Sequence, residues 1–333
     1  MLPKRVLLTS LAFILVSIIW GAAGPVIKYT LDYMPPFTFL FLRLLIVCLV
    51  LLPYIILKLL STKVNPKDYL NFFLLGLFSQ TSLAVTFVSL KYTTSLDSSV
   101  IGIFAGALTI YAGHYFYKEK VNKNVRLGVI MTCVGTFIVI LEPFLTGAQN
   151  HIPIYERVIG NMLALLYSLT WVVYIIWSKM SMGESSKLLK KTLSFVHIKP
   201  MTKAYSPVMI AVLTMYVGLI TVVPLALLEN TGMFGQVNFN ITTIDPRGIV
   251  GLLYMALLSS VLAYILNQWA LENGKITDAV IYGYLAPIFA FPTAYFLLGE
   301  IPTQFLIIGA SVVALGVVVA EKSSYDEACN KRR

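Results

Sequence analysis

The sequence predicts an all-α polytopic membrane protein with ten transmembrane helices in two inverted five-helix repeats. Three observations carry this. Apolar runs of about 20 residues recur along the chain, the length a helix needs to cross a bilayer. Only 12% of the 333 residues are charged and 58% are hydrophobic, against about a quarter charged in an ordinary soluble protein. The chain also resembles itself. "LKYTTSLDSSVIG" (90–102) and "LENGKITDAVIYG" (271–283) lie 181 positions apart and align Leu90 with Leu271, Asp97 with Asp278 and Gly102 with Gly283.

Apolar windows read against polar breaks place the spans at 6–27, 36–57, 69–90, 96–117, 125–144, 157–179, 206–228, 248–270, 276–297 and 301–320. The tail after Val319 is polar and is expected to fray. The opening "MLPKRVLLTSLAFILVSIIWGAAG" imitates a signal peptide, with Lys4 and Arg5 ahead of an apolar core. Its end recurs inside the chain, so it reads as a retained first span. Lys and Arg set the orientation. With the N-terminus in the cytoplasm, 20 of the 25 basic residues fall on cytoplasmic segments. Lys28, Lys91, Arg157 and Arg247 fall outside, and Arg43 lies within the second span. This positive-inside bias puts both termini in the cytoplasm and explains the formal charge of +10 without a nucleic-acid partner. Cys48 and Cys133 lie in apolar runs and Cys329 in the tail, so no disulfide framework is indicated.

The repeat extends well beyond those two stretches. At an offset of 181, Ser79 matches Ser260, Ala105 matches Ala286, Glu119 matches Glu300, Gly128 matches Gly309 and Gly135 matches Gly316. At the front of each half the offset is 151, pairing Trp20 with Trp171 and Lys28 with Lys179. The difference of 30 residues fits an insertion around "GESSKLLKKTLSFVHIKPMTKAYS" (183–206). The chain thus divides into a first copy (1–144, spans 1–5), an external linker (145–156), a second copy (157–320, spans 6–10) with a basic cytoplasmic insertion over about 182–205, and a polar cytoplasmic tail (321–333). An odd number of spans per copy turns the second copy upside down in the membrane, as in many secondary carriers whose site lies between the copies. The insertion is either a disordered cytoplasmic loop or an interfacial helix on the anionic inner leaflet, built around Leu188, Leu189, Leu193 and Val196.

Two correctly spaced motif sets then resemble a known family. They are "WGAAGPVIKYTLDYMPPFTFLFLRLL" (20–45) with "FYKEKVNKNVRLGVIMTCVGTFIVI" (116–140), and "YLAPIFAFPTAYFLLGEIPTQFLIIGASVVALGVVV" (284–319). The chain resembles the drug/metabolite transporter superfamily, specifically permeases with two EamA domains. The resemblance implies a ten-helix carrier of small metabolites in the plasma (inner) membrane. Such carriers are often exporters of amino acids or related solutes, alternating access around a cavity between the copies. Two departures stand out. Gly106 in "FAGALT" occupies a place where the family usually has proline, as the second copy does at Pro287. Asp97 and Asp278 stand where small uncharged residues are usual.

A carrier needs groups that replace a solute's water shell, and polar groups inside spans are expensive, so each is a pathway candidate. Trp20 and Trp171 each precede a lysine by eight residues; they can stack on a solute or belong to an interfacial aromatic belt. Gln80 and Thr81 in span three, and Asn267 and Gln268 in span eight, can bind solute or bridge helices. Tyr111, Tyr167, Tyr174, Tyr264, Tyr282 and Tyr284 supply an aromatic lining suited to an uncharged or zwitterionic solute. Gly102, Gly106, Gly283, Pro287 and Pro292 mark spans four and nine as bendable gates. Arg43 either draws an anionic group in bidentate geometry or snorkels to headgroups and helix-end carbonyls. His114 is a proton-relay candidate within a span, or an interfacial residue near a helix end. Glu119 and Glu300 follow spans four and nine and suit capping of the helix that comes next. Thr94 and Asp97 have capping-box spacing, and Asp97 and Asp278 complement the starts of their helices.

No Walker-type glycine loop is present, which argues against an ATP-driven pump. The three histidines lie one within a span (His114), one outside (His151) and one in the cytoplasmic insertion (His197), so enzyme chemistry, a metal and a cofactor are not expected. The expected function is a secondary transporter of a small organic metabolite. A nucleotide-sugar or sugar-phosphate exchanger would want more cations than Arg43, Lys28 and Lys179, and a lipid flippase is the alternative from another class. The implied partners are a small-molecule solute and the lipid bilayer, with proton coupling open, in a monomer or homodimer.

Overall fold

The computed structural model describes residues 4–117, 123–146, 152–183, 187–195, 197–233, 244–273, 282–283 and 285–330. Eleven helices follow in order among them: α1 (Lys4–Thr30), α2 (Pro36–Ser61), α3 (Pro66–Tyr92), α4 (Ser95–Tyr117), α5 (Lys123–Thr146), α6 (Ile154–Ser181), α7 (Lys187–Phe195), α8 (Pro207–Asn230), α9 (continuous through Pro246–Leu253, Tyr254–Leu262 and Ala263–Asn273), α10 (Ala286–Leu298) and α11 (Gln304–Asn330). Eight are long and apolar enough to cross a membrane, and two shorter apolar stretches, Ala286–Leu298 and Gln304–Gly316, lie in α10 and α11. Many large apolar side chains, such as Leu60, Phe144 and Phe296, remain exposed on the outer surface, as lipid contact requires. The chain is a multi-pass helical membrane protein.

Starts and stops follow local chemistry. Proline opens α2, α8 and α9, where its missing N–H breaks no helical bond. Asp245 accepts from the N–H of Arg247 and Ser206 from that of Met209, capping α9 and α8. Gly299, in the left-handed conformation at φ 64°, closes α10. The expected fraying after Val319 does not occur, because α11 continues to Asn330; the segment "AEKSSYDEACN" (320–330) contains no glycine or proline to stop it.

The packing has a pseudo-two-fold pattern. α1 packs on α9 and α10 as α6 packs on α3 and α4, while α2 pairs with α8 and α5 with α11. The α5–α11 contact shows the relation in its glycines. A Cβ at Gly135 would stand 2.6 Å from the Gly309 carbonyl oxygen, and one at Gly316 would stand 2.7 Å from that of Gly128. The earlier glycine of each helix therefore meets the later glycine of the other, so these equivalent helices run in opposite directions. α3 and α9 share a second equivalence, a wider π-helical turn at Leu77–Thr81 and at Tyr254–Leu262, of the kind often found at functional sites.

Part of the insertion, Lys187–Phe195, is helical, 197–205 is not, and Val196 lies outside the described residues. The apolar side chains Leu189 and Leu193 of the helix pack on the protein. α7 buries Leu189 and Leu193 in a cluster with Phe72, Trp177, Met180 and Tyr205, and leaves Lys187, Lys190 and Lys191 exposed. The strand of chain that follows is tied down by the fully buried Asp68 of α3. Its carboxylate accepts from the Thr202 N–H (2.8 Å), the Thr202 hydroxyl (2.7 Å) and the Tyr205 phenol (2.7 Å). Burial pushes the Tyr205 phenol up to about 12, so it stays a donor at neutral pH.

Candidate functional site

Among the polar groups that the described residues bury in this apolar bundle, two contain charged side chains with unpartnered atoms. The first surrounds Arg43 of α2. The residue is 3% exposed, and its Nε donates to the Ser260 hydroxyl in the π-helical turn of α9, at 2.8 Å. Nη1 is buried without a partner, and among the described residues no carboxylate pairs with it. Arg43 therefore does not snorkel outward, and among the described residues no hydrogen bond ties it to a helix-end carbonyl. Burying a charge without an opposite charge costs several kcal/mol.

The walls of that group are aromatic. Gln80, in the π-helical turn of α3, donates from Nε2 to the Tyr264 hydroxyl at 3.3 Å. Tyr264 meets Trp20 edge-on with ring centroids 5.4 Å apart, and Trp20 donates from Nε1 to the Ser259 carbonyl at 3.0 Å. On α6, Trp171 lies between Tyr167 (6.3 Å) and Tyr174 (5.1 Å). Trp20, Trp171 and Tyr264 pack into one cluster with Val47, Cys48 and Met215. The two repeat-related tryptophans thus turn inward. The space beside Ser260 and Tyr264 is only about 10 Å³, too small for a solute. A wider hollow of about 640 Å³ at Phe144, Tyr155 and Ile159 is open and apolar, and carries none of these polar groups.

The second group is ionic and lies where α4 and α6 begin and α5 ends. Arg157 Nη2 sits 2.6 Å from Asp97 Oδ2 and 3.3 Å from Glu142 Oε1, with all three residues at most 1% exposed. Thr303 donates to Glu142, and Thr93 lies 3.2 Å from Asp97 Oδ2 while bonding Asn161. Close by, Lys28 of α1 pairs with Glu300 at 3.1 Å and donates to the Thr93 carbonyl. Glu300 also accepts from the N–H groups of Ser95 and Leu96. It caps a helix, as expected of a carboxylate there, but the helix is α4 and not the one that follows Glu300 in sequence. The Thr94 hydroxyl accepts from the Asp97 N–H at 3.0 Å, giving half of the expected capping box; the Asp97 carboxylate turns instead to Arg157.

The remaining candidates scatter. Thr81 bonds Thr221 and bridges α3 to α8. Tyr111 is 53% exposed on α4, Asn267 is half-buried, and Tyr282 stacks on Phe13 at 5.6 Å. Gly102 and Gly283 both face open space, with nothing within 4 Å of a Cβ there, and Gly106 is half-buried. Pro292 lies inside α10, whereas Pro287 falls in its first turn, where it removes no helical bond. The side chains of His114 and Gln268, and all of Glu119, Asp278 and Tyr284, lie outside the described residues. Sequence reasoning missed Glu142, and it counted Arg157 among the charges at the external end without its burial and ion pairs. The available signal was a carboxylate within the apolar run "VILEPF" (139–144 with its flank).

Residues 7–141 and 191–321 match the profile of the EamA-like transporter family. The chain belongs to the EamA-like transporter family. Relatives agree along most of its length. An uncharacterized transporter of Archaeoglobus fulgidus is 26% identical over 310 residues, 93% of this chain and 96% of its own. A protein of Salmonella typhimurium named a "probable amino-acid metabolite efflux pump" is 25% identical over 92% of each chain. One of Escherichia coli with the same name is 24% identical, also over 92% of each. A crystal structure of a protein 16% identical superposes with a TM-score of 0.59, covering 94% of this chain and 96% of that one, a likeness of fold alone. The EamA-like chain is therefore a membrane transporter and not an enzyme.

Proposed function

We propose that this EamA-like transporter is a secondary carrier, working without ATP, that exports amino acids or related small organic solutes. Access alternates between two inverted copies, 1–144 and 157–320, with α4 flexing at Gly102 and Gly106, α10 at Pro292 and the chain ahead of α10 at Gly283. In this reading both termini are cytoplasmic in the cell membrane, and the Asp97–Arg157 end is external. One observation carries the substrate class: Arg43 is buried with no carboxylate partner among the described residues and bonds Ser260, four residues before Tyr264 of the cluster that also holds Trp20 and Trp171. Such a group fits a solute carboxylate on the cation and its remaining body on the rings. Two relatives named for amino-acid metabolite efflux support the same direction.

A nucleotide-sugar exchanger is disfavoured by the other two cations it would need, since Lys28 is held by Glu300 and Lys179 lies over the Tyr117 ring. The test is a counterflow screen in proteoliposomes with labelled amino acids, nucleosides and sugars. Carboxylate-bearing solutes should exchange and neutral sugars should not. If no solute exchanged while a labelled phospholipid crossed the bilayer, the flippase alternative would replace this reading.

A further inference from the structure

We propose that the Asp97–Glu142–Arg157 cluster is a binding site for one exchangeable proton, held away from the solute site at the other polar group. The inference rests on the carrier reading only for what the proton does, not for its presence. The charge count is the argument. Asp97 and Glu142 face a single guanidinium, Arg157, at 2.6 and 3.3 Å, and all three are buried. Asp97 Oδ1 and Glu142 Oε2 have no hydrogen-bond partner and are shielded from solvent. If both acids were ionised the cluster would carry a surplus negative charge, which a low-dielectric interior does not tolerate.

The neighbouring charges do not cancel it. On the α1 and α10 sides, Lys28 and Glu300 form a pair that is itself neutral. Glu300 also occupies the Ser95 and Leu96 N–H groups at the start of α4. On α6, Glu156 is engaged by the Tyr155 hydroxyl, and on α3 Lys91 is exposed to solvent. The described part of α11 presents Thr303, an uncharged donor, from the turn before it. His151, between α5 and α6, lies outside the described residues. A metal cation fits poorly, because Arg157 already stands between the two acids and would repel it. A proton neutralises the surplus without displacing Arg157.

The cluster joins α4 and α5 of one copy to α6 of the other, and Thr303 connects it to the turn before α11. Proton release would restore the surplus charge and loosen this contact. In the carrier reading this couples opening of the external end to the proton gradient.

The test uses the full-length protein in nanodiscs, and its first readout needs no solute. Infrared spectra at neutral pH should show the carbonyl stretch of a protonated carboxyl in the wild type. Asp97→Asn and Glu142→Gln should each remove that same band, because either change abolishes the surplus charge. Each single variant should melt close to the wild type, whereas the double variant, which leaves Arg157 unpaired, should melt far lower. Absence of the band in the wild type, or its persistence in both single variants, would overturn the proposal. The second readout is counterflow with and without a pH gradient, where the single variants should exchange solute but lose the gradient's effect. If the band behaves as expected but no solute moves even in the wild type, the proton site stands and the carrier reading fails.

Discussion

Arg43 lies in "FLRLL" (41–45), where the sequence announces a charge inside an apolar run but not the direction it points. Direction depends on what α9 brings alongside, and Ser260 arrives from 217 residues away. The same limit hid the ionic cluster. Arg157 reads as an external charge because it stands near the start of a span, and Glu142 reads as the end of one. Only the tertiary fold puts them at 3.3 Å from each other and out of water. Glu229 shows the cheaper use of a buried acid. It accepts from the Phe37 N–H (3.1 Å), the Thr38 N–H (2.7 Å) and the Thr38 hydroxyl (2.8 Å) at the start of α2. Glu229→Ala would strand these donors in the interior and should cost about 2 kcal/mol. A thermal melt in detergent checks this, and an unchanged midpoint would show that the cap contributes nothing.

Among the elements, α5 and α11 depend most on small residues. Their backbones approach so closely that a Cβ at Gly135 would meet the Gly309 oxygen at 2.6 Å and the Val313 nitrogen at 2.9 Å. Backbone cannot yield as a flexible side chain does. Gly135→Ala should therefore lower the yield of folded protein and its melting temperature, while Gly102→Ala, which meets nothing within 4 Å, should leave both near wild type. Equal behaviour of the two variants would refute the close-packed contact. The repeat offset identified Gly128, Gly135, Gly309 and Gly316 in the sequence, yet not that they meet across the two halves. The insertion was less legible. Its composition suits a solvated loop, and the decisive residue, Asp68, lies in α3, 134 positions from Thr202. Amphipathicity could suggest a helix there but could not choose between lipid and protein as the surface it covers.

At the scale of the whole molecule, the fold was read from span length, charge bias and the repeat, because bilayer thickness and backbone hydrogen bonding leave a chain this apolar few alternatives. The site was less legible, since each polar side chain in a span has a structural use as well as a functional one, and only its partners separate the two. Thr81 went to bridging helices, whereas Arg43 kept an unpaired nitrogen. The central claim is that this unpaired cation receives the solute's carboxylate. The direct measurement is amino-acid counterflow in proteoliposomes with wild type and Arg43→Gln, with equal melting temperatures established first. Losing one charge-assisted contact should reduce exchange roughly tenfold or more, and exchange at the wild-type rate in Arg43→Gln would contradict the account.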